Sequence, residues 1–155
     1  MKLVPTAEMT LGPFFPPEFA AGANDLTQQI SGEIIEITGR VTQLDGRPLD
    51  NVVIEIWQAD PQGRYDNPEF LGWGRAATNA DGIYRFKTVK PGAPYINFLI
   101  LYSGLMRHLQ TAMFFDKAPD SVKHGERLVA KKEGPNRYRF DIRLRGEGET
   151  PFFDD

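Results

Sequence analysis

The 155-residue chain contains no cysteine, only two histidines and no long apolar run. Without cysteine it has no disulfide framework, zinc–thiolate site or thiol nucleophile. No apolar stretch approaches the roughly 18 residues of a membrane-spanning helix, and the N-terminal MKLVPTAEMT lacks the apolar centre of a signal peptide. We therefore expect a cytoplasmic protein with no membrane contact.

Runs of lysine and arginine are also missing, and the formal net charge is -3. This charge gives no electrostatic reason to expect nucleic acid as a partner. The stretch GEGE at Gly146–Glu149 is acidic, which opposes phosphate binding, and no other glycine-rich phosphate loop is visible. We expect neither nucleic acid nor nucleotide phosphate to bind.

The two histidines, His108 and His124, occur in the unrelated contexts MRHLQT and VKHGER. This pattern gives poor support for a histidine-rich zinc site or a two-histidine, one-carboxylate iron site. We expect His124 to be a solvated loop residue and His108 a surface or interface residue. The serines lack the nucleophile-elbow pattern of a hydrolase.

Short strand patterns separated by turn signals are what the chain does have. Asp81-Gly82 and Lys90-Pro91-Gly92 are among the turns, and the chain holds 15 glycines and 12 prolines. Strands are predicted at residues 33–41, 52–57, 74–78, 83–89, 95–102, 110–115 and 138–144. Only residues 121–132 could hold a helical turn or two. The pattern predicts an all-β sandwich with little helix.

Residues 1–30 show little periodicity, and LGPFFPPEF places prolines beside phenylalanines. Such a segment can be neither a helix nor a central strand. We expect an extended, irregular N-terminal arm at residues 1–30 and a single β-sandwich domain at 31–155. The arm would lay its aromatic side chains on its own domain or on a partner chain, with Phe14, Phe15 and Phe19 as anchors.

Tyr65 follows a Gly-Arg pair at the mouth of a loop, where a core tyrosine is not needed. Phe70 and Trp73 could line a cleft there, and Arg75 and Arg107 could hold a carboxylate. Each of these residues also has an ordinary structural interpretation, in which the tyrosine packs on its loop with a solvated hydroxyl. The residues alone leave both interpretations open.

Four motifs resemble the intradiol ring-cleaving dioxygenases, in register from about Thr10 to the end of the chain. They are TLGPFF (Thr10–Phe15), VIEIWQADPQGRY (Val53–Tyr65), GRAATNADGIYRFKTVKPG (Gly74–Gly92) and YRFDIRLRGEGETPFFDD (Tyr138–Asp155). The end of the last motif, GEGETPFFD (Gly146–Asp154), is similar to the C-terminal ending of α-type chains in the protocatechuate-cleaving branch of the family. The resemblance implies a β-sandwich that takes part in cleaving aromatic rings with O2.

Catalytic chains of that family bind non-haem Fe(III) through two tyrosines and two histidines. Only the first tyrosine has a match here, at Tyr65, because the loop for the second is missing and Gly92 runs straight into Ala93. The histidine pair falls on Tyr95 and Asn97. Since a lone phenolate cannot hold Fe(III), the resemblance implies no catalytic residue and no metal in this chain. Fe(III) is then expected in a β-type partner subunit.

In such pairs the α-type chain contributes part of the pocket for a catechol-type aromatic acid. Carried over, the substrate-binding candidates are Thr10, Gly12, Pro13, Tyr65, Tyr95, Asn97 and Arg107. The strand RHLQTAMFF departs from the family, because Ala112 stands where an arginine usually reaches toward substrate and Gln110 where a histidine is usual. Arg107 could substitute only if the strand presents it differently.

Two further interpretations stay open. The chain could be a stand-alone, repurposed member of the fold that binds or transforms a phenolic small molecule without iron. Its pocket would then be formed by Tyr65, Trp73, Tyr95, Asn97 and His108. Alternatively, it could be a non-enzymatic assembly domain.

Overall fold

A computed structural model describes residues 23–43, 46–102, 108–145 and 148–153. These residues form strands and one short 3-10 helix, arranged in two sheets. The strands are β1 (Ile34–Gln43), β2 (Arg47–Pro48), β3 (Val53–Trp57), β4 (Trp73–Ala77), β5 (Ile83–Val89), β6 (Tyr95–Leu101), β7 (Leu109–Phe114), β8 (Lys131–Gly134), β9 (Arg137–Arg139) and β10 (Ile142–Arg143), with the 3-10 helix at Gly125–Leu128.

The first sheet is built around β1, the longest strand. From Ile34 to Arg40, β1 pairs antiparallel with β5, and on its other side it pairs in parallel with β9. Further along, it pairs with β2 and β10, while β8 extends the sheet beyond β9. One strand therefore pairs directly with four neighbours.

The second sheet has the order β4-β3-β6-β7, and every pairing in it is antiparallel. Trp57, at the end of β3, lies opposite Trp73 on one side and opposite Asn97 on the other. This register places the ends of β3, β4 and β6 side by side at one end of the sheet, where the candidate site is found.

Alternate residues of the strands fill a core between the two sheets, as period-2 patterning requires. Tyr84, Phe86, Phe98 and Phe140 form an aromatic cluster with ring centroids 5.1 to 6.3 Å apart. Burial of each such ring contributes about 1.5–3 kcal/mol. The packing is tight beside β1, where a Cβ on Gly39 would lie 1.9 Å from the carbonyl oxygen of Phe140.

The prediction of an all-β sandwich with little helix is confirmed. One predicted element, a continuous strand at residues 138–144, is wrong, because the chain forms two short strands there. The carboxylate of Asp141 accepts the backbone N–H of Arg40 at 2.9 Å, so a side chain replaces a main-chain acceptor and interrupts the ladder. The sequence pattern also missed β2 and β8, which are short, charged or proline-containing edge strands without alternation.

Residues 23–30 form turns beside both sheets, and Leu26 among them is fully buried. Residues 1–22 lie outside the described part of the chain, so the arm and its boundary at residue 30 stay predictions. In the part of the chain that the structure describes, no helix has the length and apolar character needed to cross a bilayer.

Candidate functional site

A loop at residues 58–72, here called the Asp60 loop, connects β3 to β4 and carries Tyr65. The carboxylate of Asp60 accepts the backbone N–H groups of Gln62 and Arg64, both at 2.9 Å. Its second oxygen accepts the side-chain amide of Asn67, also at 2.9 Å. The Arg64 and Asn67 hydrogen bonds hold the pKa of the Asp60 carboxyl below its usual range. Asp60 thereby fixes the backbone just before Tyr65 and holds the Asn67 side chain just after it.

The backbone of the loop also touches the turn between β5 and β6. The carbonyl of Asp60 accepts the N–H of Gly92 at 2.9 Å. A Cβ at Gly92 would lie 2.4 Å from the carbonyl oxygen of Pro61 and 2.6 Å from the nitrogen of Gly63. Only glycine allows this approach, so the Lys-Pro-Gly turn is fitted directly against the loop.

Gln58 joins the two sheets beneath the same loop. Its buried side-chain amide donates to the carbonyl of Val89 at 2.7 Å, and its oxygen accepts the hydroxyl of Thr88 at 2.6 Å. Because a buried amide is stable only when its donors and acceptors are satisfied, this arrangement ties the end of β3 to β5. Gln58 therefore anchors the start of the Asp60 loop to the first sheet.

Tyr65 packs on the ring of Trp57, with ring centroids 4.9 Å apart. Its side chain keeps 39% of its surface exposed. Its hydroxyl hydrogen-bonds with the hydroxyl of Tyr95 and with the side-chain amide of Asn97. Asn97 also donates to the carbonyl of Trp57 at 3.0 Å. The three positions that the family resemblance singles out, 65, 95 and 97, thus meet at one point.

Partial burial raises the pKa of the Tyr65 hydroxyl well above its ordinary value. The hydrogen bond with Tyr95 raises it further, and the one with Asn97 acts in the opposite direction. Tyr65 is therefore a neutral phenol throughout the physiological pH range. In that form it can donate or accept a hydrogen bond.

The donor set at this point does not fit a ferric ion. Fe(III) is held by several charged, hard or borderline donors, whereas this cluster supplies two tyrosines and a neutral amide, with no imidazole or carboxylate among them. Among the described residues, no three side chains of the His, Cys, Asp or Glu type come together in a metal-binding group. The chemistry of these side chains suits a phenol or another neutral hydrogen-bonding group better than a metal.

The cluster lies on the outward face of the second sheet. Core-facing Ile54, Ile56, Ile96 and Phe98 are at most 2% exposed, so the alternate residues of these strands point away from the core. Those outward positions are also mostly apolar and are half-buried or buried: Val53, Trp57, Trp73, Tyr95, Leu99, Leu101, Ala112 and Phe114. The outward face of an antiparallel sheet is normally polar where it meets solvent. In this sheet the outward positions are mostly apolar, as the core-facing ones are.

Two charged residues occupy the middle of that outward face. Arg75 of β4 lies opposite Glu55 of β3, and the two form an ion pair with only 3% of each side chain exposed. The Arg75 guanidinium also lies 5.0 Å from the centre of the Trp73 ring. Burial raises the pKa of Glu55, while Arg75 and, more weakly, His108 oppose that rise. Arg75, which the sequence suggested as a possible site for a ligand carboxylate, therefore binds the carboxylate of Glu55 in its own chain.

The structure brings together some of the predicted residues and separates others. Tyr65, Tyr95 and Asn97 meet, but His108 precedes β7 at the end opposite to the Tyr95–Phe114 pair, about 20 Å along the strand. His124 is an exposed loop residue, as expected. The predicted positions Thr10, Gly12, Pro13 and Arg107, and the anchors Phe14, Phe15 and Phe19, lie outside the described residues.

The sequence patterns did not single out Asp60 and Gln58 as residues that position the site. Asp60 carried a usable signal, since an aspartate before Pro-Gln-Gly commonly accepts backbone N–H groups two residues on. Gln58 carried none, because its partners are 30 and 31 residues away in the chain.

Comparison with known proteins gives consistent matches. The profile of a family described as dioxygenase matches residues 11–98. The chain is 36% identical over 154 residues to the protocatechuate 3,4-dioxygenase alpha chain of Pseudomonas putida, covering 79% of this chain and 77% of that one. It is 35% identical over 159 residues to the protocatechuate 3,4-dioxygenase beta chain of Burkholderia cepacia, covering 77% and 68%.

A solved structure agrees with this similarity. The dioxygenase domain of a dioxygenase carbohydrate-binding protein fusion from Streptomyces sp. SirexAA-E superimposes with a TM-score of 0.65 at 26% identity. The alignment covers 93% of this chain and 100% of that domain.

Proposed function

Because the chain belongs to the intradiol ring-cleavage dioxygenase family, we propose that it is an α-type, metal-free subunit of a protocatechuate 3,4-dioxygenase-like enzyme. A β-type partner carries the Fe(III), and the pair cleaves a catechol-type aromatic acid with O2. The chain is cytoplasmic, contacts neither membrane nor nucleic acid, and is inactive in isolation.

The observation that carries the proposal is the meeting of Tyr65 with Tyr95 and Asn97. The family resemblance assigns iron ligands to these three positions, and here they hold two tyrosines and an amide. Such a set stabilises the loop but supplies no imidazole or carboxylate for iron. A member of an iron-dependent family with this set performs its role beside a chain that keeps the ligands.

The outward face of the second sheet has the composition expected of a surface that binds a partner chain. Its apolar positions, such as Trp57, Trp73 and Leu99, are the kind of residue that forms the centre of an obligate interface. The same face carries the Tyr65 cluster, so a β-type chain docked there contacts the cluster directly. The substrate would bind where the two chains meet, with Thr10, Gly12, Pro13 and Arg107 as further contributors from this chain.

One observation favours a second candidate, a stand-alone protein that binds a phenolic ligand without iron. Tyr65 is 39% exposed and sits beside an indole ring and two hydrogen-bonding groups, which together suit a phenol. The two candidates differ in what binds the chain alone. The second candidate requires a phenolic acid to raise the thermal midpoint of the isolated chain, whereas the first requires that shift only in the complex.

The test is co-expression with a β-type chain from the same genome, followed by size-exclusion chromatography, iron analysis and visible spectroscopy. We expect one co-eluting complex with a tyrosinate-to-Fe(III) absorption band and protocatechuate-dependent O2 uptake. Tyr65→Phe should leave the iron content and that band unchanged, because the metal is held by the partner. Iron bound by this chain alone, with a band lost in Tyr65→Phe, would overturn the metal-free assignment.

Docking is tested with a matched pair of variants. Leu99→Glu places a charge in the centre of the outward face and should prevent co-elution. Leu71→Glu makes the same change at a loop side chain that is 71% exposed, and should leave the complex intact. Circular dichroism of each isolated variant separates lost docking from lost folding. Co-elution of folded Leu99→Glu would show that the partner binds elsewhere.

A further inference from the structure

The outward face of the first sheet carries an excess of positive charge. In the register of the sheet, the row across β5, β1, β9 and β8 reads Arg85, Thr38, Arg139 and Lys131. The next row reads Asp25, Lys87, Glu36 and Arg137, so charges of opposite sign alternate along it. With Arg40 one step further along β1, these residues define what we call the basic face.

The basic face is accessible. Five of its cations, Arg40, Arg85, Lys87, Lys131 and Arg137, are exposed, and Arg139 is half-buried. The carboxylates beside these cations include Glu36, Asp25 next to Lys87, and Asp141, which accepts the Arg139 side chain at 3.0 Å. Cations thus outnumber carboxylates on this face, whereas the whole chain has 18 Lys and Arg against 21 Asp and Glu.

This concentration of charge works against folding. Lys131 and Arg139 are direct cross-strand partners, and like charges placed opposite each other destabilise a sheet. Because adjacent strands lie about 4.8 Å apart, the row from Arg85 to Lys131 spans about 14 Å. A chain with an acidic overall balance has no need of such a row for solubility, so the arrangement points to an interaction.

We propose that the basic face docks a carboxylate-rich surface of a protein partner. Two features favour a protein over a nucleic acid. The outward positions of these rows include no aromatic ring on which a base could stack. Glu36 and Asp141 lie within the face, where they repel a continuous polyanion but can pair with cations of a mixed protein surface. The proposal stands independently of the proposed enzymatic role, because it concerns the opposite sheet.

The probe is a fluorescent poly-glutamate peptide, whose binding to the full chain is followed by fluorescence anisotropy at low ionic strength. We expect binding that weakens steeply as salt is added. The variant Arg85→Gln/Lys131→Gln/Arg137→Gln should lose about tenfold or more in affinity and show a shallower salt dependence. Its thermal midpoint should be unchanged or higher, since a like-charge pair has been relieved.

The control variant Arg64→Gln/Lys117→Gln/Lys123→Gln removes the same charge from exposed positions elsewhere. It should retain most of the affinity. Equal losses in both variants would mean that net charge rather than this face binds the probe, and would overturn the proposal. So would an absence of salt-sensitive binding by the unaltered chain. Tighter binding of single-stranded DNA than of poly-glutamate would assign the face to nucleic acid instead.

Discussion

The hydroxyl of Tyr65 hydrogen-bonds with the hydroxyl of Tyr95. Partial burial and this bond raise the pKa of Tyr65 above its ordinary value of 10.0, so the neutral phenol is the form that folding favours. The stability that the group contributes is fully present below that ordinary value and is lost as the pH rises toward the raised pKa. Alkaline pH therefore loosens the candidate site.

A spectrophotometric tyrosine titration tests this. Between about pH 9 and 11 we expect the folded protein and Tyr65→Phe to give the same tyrosinate absorbance, because Tyr65 ionises only above that range. In denaturant every tyrosine titrates normally, and the variant should then lose one of the five tyrosines. A variant that already lacks one tyrosinate when folded would contradict the raised pKa.

Asp60→Asn is expected to loosen the Asp60 loop. The variant replaces a charged acceptor of the Gln62 and Arg64 N–H groups by a weaker, neutral one. Because the pKa of Asp60 is lowered, its contribution is present above the ordinary value of 3.8 and is lost as the pH falls through the lowered value. The difference in thermal midpoint between the two proteins should be largest near neutral pH and should shrink in acid.

Asp66→Asn provides the control for that measurement, since Asp66 lies in the same loop with 78% of its side chain exposed and pairs only at the surface with Arg64. We expect it to change the midpoint little. Equal effects from the two variants would mean that Asp60 has no special part in holding the loop. Limited proteolysis within residues 58–72 gives an independent measure.

The buried ion pair of Glu55 and Arg75 should show strong non-additivity. Arg75→Met leaves the Glu55 carboxylate buried without its cation, and we expect a loss of about 3–5 kcal/mol in the free energy of unfolding. Adding Glu55→Leu removes that orphaned charge and should recover most of the loss. Urea unfolding of both single variants and the double variant measures the coupling, and a double variant less stable than either single one would disprove it.

Gly39→Ala is expected to disrupt the core. Its new methyl group would lie 1.9 Å from the Phe140 carbonyl oxygen and 2.6 Å from the Tyr84 hydroxyl, and these two groups hydrogen-bond to each other. We expect a loss of about 3 kcal/mol or more, or failure to fold. Gly134→Ala is the matched change, because its methyl group meets only the Arg137 side chain at 3.6 Å and beyond. Soluble yield and denaturant midpoints compare the two.

The sequence was sufficient for the features that depend on local pattern. Period-2 alternation and turn chemistry predicted the sandwich and most of its strands, and the family motifs indicated positions 65, 95 and 97. Features that depend on register were not accessible. Glu55 and Arg75 are 20 residues apart and become partners only when β3 and β4 are aligned.

The cluster of cations on the first sheet also depends on strand register and could not be predicted from the sequence. Arg85, Arg137 and Lys131 come from three separate strands, so no cationic run appears in the sequence although the folded sheet assembles one. The break at Asp141 was hidden for a different reason. Its alternation is that of a strand, and only its contact with the Arg40 N–H shows that a side chain has taken over the ladder.

The contact between Gly92 and the Asp60 loop also bears on how the chain can change. The N–H of Gly92 binds the Asp60 carbonyl, and even one carbon atom at Gly92 would overlap the backbone of Pro61 and Gly63. A segment inserted at this turn would have to push away the loop that carries Tyr65. Under the proposed function, substitutions at positions 95 and 97 could supply individual ligands. A longer turn that carried a second tyrosine would require the Asp60 loop to be rebuilt at the same time. The fit at Gly92 therefore restricts insertions at this turn more strongly than it restricts substitutions at positions 95 and 97.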